Sequence, residues 1–102
     1  MAVYSTRFVV VPSGAGDVAY TIPAGKLAVV KMMSAYNNSG STAQLRLFMA
    51  GTAIWGASVP GSSGVFGSGL HLVGYAGELI EVTWNATSGA AYAGGYLLDA
   101  LR

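Results

Sequence analysis

Residues 20–40 read YTIPAGKLAVVKMMSAYNNSG, one strand framed by two turns. Pro23-Ala24-Gly25-Lys26 has turn chemistry: proline presets φ at an early position, and glycine takes a positive φ cheaply. Leu27-Ala28-Val29-Val30-Lys31-Met32-Met33 is β-rich and too short to read as a helix. Asn37-Asn38-Ser39-Gly40 supplies the second turn cluster. A strand apolar on both faces between tight turns implies a β-domain whose outer surface is also covered.

The flanking sequence repeats this grammar. Residues 3–11 alternate loosely and stop at Pro12, which cannot donate to a ladder. Residues 13–17 read as a loop, after which Val18, Tyr20 and Ile22 share one face of a second strand. The third strand runs from 27 to about 36. Residues 42–49 alternate most cleanly, with Ala43, Leu45, Leu47 and Met49 inward and Gln44, Arg46 and Phe48 outward. Ala50-Gly51 turns into a strand over 52–59, where Ile54 and Trp55 point to opposite faces. Residues 60–64 are a loop. Residues 65–73 form a weaker strand interrupted by Gly67 and Gly69. Tyr75-Ala76-Gly77-Glu78 turns into strands over 79–85 and 91 to about 98.

About eight short strands, with turn signals every ~8–12 residues, predict an all-β two-sheet sandwich of jelly-roll type. A closed β-barrel is the alternative. The whole chain, 1–102, reads as one domain.

Composition narrows the function. There is no cysteine, so disulfides and thiolate ligands are excluded. Five Lys and Arg against four Asp and Glu give no basic surface for nucleic acid or an anionic membrane. Only 9% of residues are charged, while 53% are hydrophobic. An ordinary soluble domain carries roughly 25% charge. Such a surface suits burial against other protein, so a homo-oligomer or a subunit of a larger assembly is expected. The start, MAVYSTRF, lacks the pattern of a secretory signal. No run reaches the ~18 apolar residues of a membrane helix.

Chemistry finds little to work with. His71 is the single histidine, read as an outward strand residue between Leu70 and Leu72, and no serine stands in a nucleophile elbow. Glu78 and Glu81, three apart on a strand, project to opposite faces rather than forming a glycosidase pair. One His and four scattered carboxylates offer no metal-ligand spacing. Gly14-Ala15-Gly16 lacks a P-loop lysine and reads as a turn. No enzyme, cofactor or metal is therefore expected. Arg7, Lys31 and Arg46 are candidates for an anion site. Tyr36, Tyr75, Tyr92, Tyr96, Trp55 and Trp84 are candidates for a sugar-stacking platform, although such residues also anchor cores and interfaces.

Tyr20-Thr21-Ile22-Pro23-Ala24-Gly25-Lys26, followed by an apolar strand ending in Asn37-Asn38-Ser39-Gly40, resembles small virion proteins of tailed bacteriophages. Gly51-Thr52-Ala53-Ile54-Trp55, Val59-Pro60-Gly61 and Ala76-Gly77-Glu78-Leu79-Ile80-Glu81-Val82 extend the resemblance. It implies a non-enzymatic β-sandwich, often trimeric, docked on other virion proteins and located in the virion. The expected function is a minor tail or tail-tip subunit, with capsid decoration or a carbohydrate-binding module for host attachment as alternatives. A host glycan is then a further partner. Val29, Lys31, Met33, Tyr36, Arg46, Phe48, Trp55 and Tyr96 are the candidate oligomer or docking interface. Light scattering on the eluted protein is expected to give a multiple of the 10.4 kDa chain mass; a soluble monomer peak contradicts the low-charge reasoning.

Overall fold

The computed structural model describes residues 3–11 and 16–99. Its strands are β1 (Val3–Val11), β2 (Gly16–Thr21), β3 (Lys26–Asn37), β4 (Ala43–Met49), β5 (Thr52–Val59), β6 (Ser63–Gly67), β7 (Leu72–Tyr75), β8 (Leu79–Trp84) and β9 (Gly89–Asp99). Among the described residues there is no helix. Pro12 and most of the loop expected over 13–17, including Gly14 and Ala15, lie outside the described residues; Gly16 and Asp17 already belong to β2.

Two antiparallel sheets form a sandwich. One runs β1-β9-β3-β6, with β7 also pairing β3 to make five strands; the other runs β2-β8-β4-β5. Among the described residues no strand pairing joins the two sheets, so this is a sandwich and not a closed barrel. The ninth strand comes from the expected 65–73 segment, which splits. β6 and β7 pair successive parts of β3, and the chain breaks between them at 68–71, where Gly69 takes a φ of 73°. His71 therefore sits in that break, exposed, and not on a strand.

The framing turn forms as its residues dictate: Lys26 N donates to Pro23 O at 3.2 Å, and Gly25 takes a φ of 77°. β3 is then paired on both sides, by β9 along its whole length and by β6 and β7 opposite. An irregularity between Val30 and Met32 inserts Lys31 as an extra residue. Beyond such a bulge the alternation of faces inverts. Val29 belongs to the outer face, yet Met33, expected outward, is 0% exposed in the core. The bulge presses on β9 so closely that a Cβ on Gly95 would lie 1.9 Å from Val29 O. Only glycine fits there.

Ile22, Val30, Met33, Leu45, Leu47, Ile80, Val82 and Trp84 fill the interior between the sheets. β4 obeys its sequence alternation throughout: Leu45 and Leu47 are 0% exposed and Arg46 is exposed. Asn37, at the end of β3, is also 0% exposed. Its Nδ2 donates to Ser41 O at 2.7 Å and Val59 O at 2.9 Å. Its Oδ1 accepts from Ser39 N at 2.9 Å and Ser39 Oγ at 2.6 Å.

Leu45→Ala or Leu47→Ala is expected to cost roughly 2–5 kcal/mol in urea unfolding, whereas Arg46→Ala stays within about 0.5 kcal/mol. Asn37→Ala is expected to cost on the order of 3 kcal/mol, because it orphans buried partners. Asn37→Asp should be worse still, since it turns a carboxylate oxygen toward the Ser41 and Val59 carbonyls. An Asn37→Ala midpoint equal to the parent's would show those groups to be satisfied without it.

Candidate functional site

The pairing of β9 with β1 and β3, and of β3 with β6 and β7, brings dispersed aromatics onto one surface. Val10, Tyr92, Ser34 and Phe66 stand in one row across β1, β9, β3 and β6. Beside it, Ala90, Tyr36 and Gly64 make the next row. Farther along, Tyr96, Val29 and Val73 form a row, followed by Leu98, Leu27 and Tyr75. Tyr36 is 52% exposed, and Phe66 and Tyr75 are each 59% exposed. Tyr92 is held down by its hydroxyl, which donates to Met32 Sδ at 3.5 Å. Between the first two rows lies a depression of about 480 Å³, lined by Val10, Ser34, Tyr36, Ala90 and Tyr92 with Ala35 and Ala91 at its floor.

The tyrosines named as a stacking platform thus converge, and the two tryptophans do not. Trp84 is buried in the core, where its Nε1 finds no hydrogen-bond acceptor among the described residues. Trp55 is half-buried at the sandwich edge, packed against the core and against Gly67. Phe66 was missed as a member. It lies between Gly64, read as loop, and Gly67, read as an interruption of a weak strand, and only the pairing of Phe66 with Ser34 reveals its place.

The candidate interface residues do not form one patch. Val29, Tyr36 and Tyr96 lie on the outer face of the five-stranded sheet, and Met33 is in the core. Lys31 occupies the bulge, its Nζ 3.5 Å from His71 Nδ1. Arg46 and Phe48 face out from the opposite sheet, because β4 pairs with β5 and β8. Lys31 and Arg46, on different sheets, therefore cannot share an anion.

Groups capable of catalysis stay apart. Glu78 Oε1 accepts from Tyr75 N at 2.8 Å and so fastens its own turn. Glu81 lies on β8 between Ala19 and Phe48. Asp99 is paired with Lys26. Among the described residues, no three His, Cys, Asp or Glu side chains gather where they could hold a metal ion.

No family model matches the chain, and no curated protein matches it. Its fold is similar to that of the CBM36-1 domain of a multidomain xylanase from the hindgut metagenome of Trinervitermes trinervoides. The TM-score is 0.52 at 18% identity, over 92% of this chain and 82% of that one. A carbohydrate-binding module CBM36 in complex with calcium and xylotriose aligns at TM-score 0.49 and 13% identity, over 95% and 88% of the two chains. The Agl-KA catalytic domain aligns at 0.46 and 14%, over 91% of this chain and 21% of that one. The first likeness establishes the β-sandwich.

The first of these likenesses corrects the expectation of a phage virion structural protein, whether tail subunit or capsid decoration: that neighbour is a carbohydrate-binding domain of a xylanase. The physical reason lies in the motifs. A Pro-Ala-Gly-Lys turn and an Asn-Asn-Ser-Gly turn specify how strands are joined, and one sandwich scaffold carries unrelated functions.

Proposed function

We propose that this chain is a non-catalytic carbohydrate-binding module that receives a glycan on the outer face of its five-stranded sheet. The observation that carries this is the pairing of Tyr36 and Tyr92 around one shallow depression, with Phe66 beside Ser34 in the adjoining strand and Tyr96 and Tyr75 farther along the same face. An aromatic ring gives the C–H face of a pyranose a flat apolar bed, and a tyrosine hydroxyl adds a polar tip. Strands hold those rings in place more firmly than loops would. Among the described side chains the face carries few charges, which favours a neutral glycan. The sandwich shared with the CBM36-1 domain of a xylanase supports the same reading as fold-level analogy. The scattered titratable groups support a binding role over a catalytic one.

A second reading, self-association through this face, is favoured by the 9% charged composition. The two separate in solution, since a bound oligosaccharide would compete with self-association.

Screening against a broad glycan panel, followed by calorimetry on the best oligosaccharide, is expected to show binding. Tyr36→Ala and Tyr92→Ala should each weaken it ~5- to 10-fold, on the order of 1 kcal/mol per ring. Ile54→Ala, exposed on the other sheet, should leave it unchanged. No binding across the panel, or affinity indifferent to both tyrosines, overturns the proposal.

A further inference from the structure

The outer face of the four-stranded sheet differs in chemistry from the tyrosine face. Asp17, Thr83 and Arg46 stand in one row across β2, β8 and β4. Together with Gln44, Trp84 and Asn85 they line a cleft of about 160 Å³. Some of its polar groups are already engaged. The Gln44 amide exchanges hydrogen bonds with Ser58 Oγ at 3.0 and 3.2 Å, and Asn85 Oδ1 accepts from Gln44 N at 2.7 Å. These bonds fix the floor and rim. Asp17 and Arg46 are exposed, and no ion pair joins them among the described residues. The cleft therefore offers an acceptor pair at Asp17, a hydroxyl at Thr83 and donors at Arg46 and Asn85 Nδ2.

We infer that this cleft is a second binding site, which takes a single neutral pyranose edge-on through its hydroxyl groups. Adjacent strands are ~4.8 Å apart, so Asp17 and Arg46 spring from backbones separated by roughly 10 Å. A pyranose carries hydroxyls on opposite edges of a rigid ring, and these can reach both sides at once. A small amino acid with an uncharged side chain has its ammonium and carboxylate on one carbon and cannot. A carboxylate accepts two hydroxyl protons and a guanidinium donates in a fork, so both ends favour vicinal hydroxyls. A net-neutral cleft gives no preference for a charged sugar. The site lies on the opposite face from the tyrosines and does not rest on their role.

The test is a titration of the labelled full chain with D-glucose, D-glucuronate and glycylglycine, read by NMR at the Thr83 amide, the Asn85 side-chain amide and the Arg46 Nε–H. D-glucose is expected to shift all three. Asp17→Asn and Arg46→Gln should each weaken that response ~10-fold. Tyr36→Ala should leave it intact, which separates this site from the tyrosine face even if the latter binds nothing. Both cleft variants replace exposed side chains, and retained spectral dispersion confirms that they fold. Absence of shifts at the highest soluble glucose concentration overturns the inference, as does a response unchanged in both variants. Tighter binding of glycylglycine or D-glucuronate overturns the assignment to a neutral sugar.

Discussion

The buried side chain of Asn37 is the constraint on which this end of the molecule depends. An amide in a dry interior is costly unless each of its groups finds a partner. Here Nδ2 and Oδ1 each serve two partners, from the turn that follows β3 and from the end of β5. One side chain thus ties the five-stranded sheet to the four-stranded one. Backbone bonds reinforce the knot, from Asn38 N to Ser88 O and from Ser62 N to Ser39 O, both at 3.1 Å. Because neighbouring residues of a strand face opposite ways, an inward Asn37 obliges Tyr36 to point outward. The structural anchor and the exposed ring are two consequences of one register.

Parity governs the rest of the outer face as well. Had β3 run without its bulge, the outward set would have continued from Val29 through Lys31 to Met33, and Tyr36 would have faced the core. The inserted Lys31 changes the phase midway, so Val29 and Tyr36 share a face although they are an odd number of residues apart. Gly94 and Gly95 on β9 accommodate the distortion, and a side chain at Gly95 would collide with the Val29 carbonyl. The bulge and the glycine pair therefore act together to set which residues the outer face presents.

Much of the fold was legible because it is written locally. The turns at 23–26 and 50–51, the bounds of β1 and β5, and the alternation of β4 follow from residues within a few positions of one another. What was not legible depends on partners far along the chain. The phase change in β3 has no local signature, since Val30-Lys31-Met32 reads as ordinary strand. The break between β6 and β7 was signalled by Gly67 and Gly69, but not the pairing of both pieces with β3. At the candidate site, the tyrosines could be named individually. Their convergence requires the order β1-β9-β3-β6, which joins the two ends of the chain through its middle. Phe66 was hidden by the same long-range pairing.

The scarcity of charge can now be located. Of the two outer faces, the five-stranded one is mainly aromatic and aliphatic among its described side chains, whereas the four-stranded one carries Asp17, Arg46, Glu81 and their polar neighbours. The sequence implied a surface that wants covering, but the covering material was not encoded in composition. A protein partner and a sugar ring both satisfy an exposed tyrosine by presenting apolar surface to its face and a polar group to its tip. What distinguishes them is geometry. A protein interface needs a broad continuous patch, which among the candidate interface residues only those on the five-stranded face share, the rest lying on the opposite sheet, at its edge or in the core. A glycan needs only a few rings around a shallow depression, with hydroxyl and backbone groups at hand. In the proposed site Tyr36, Ser34 and Tyr92 have that arrangement, and the pairing that unites them is the same pairing that builds the sheet.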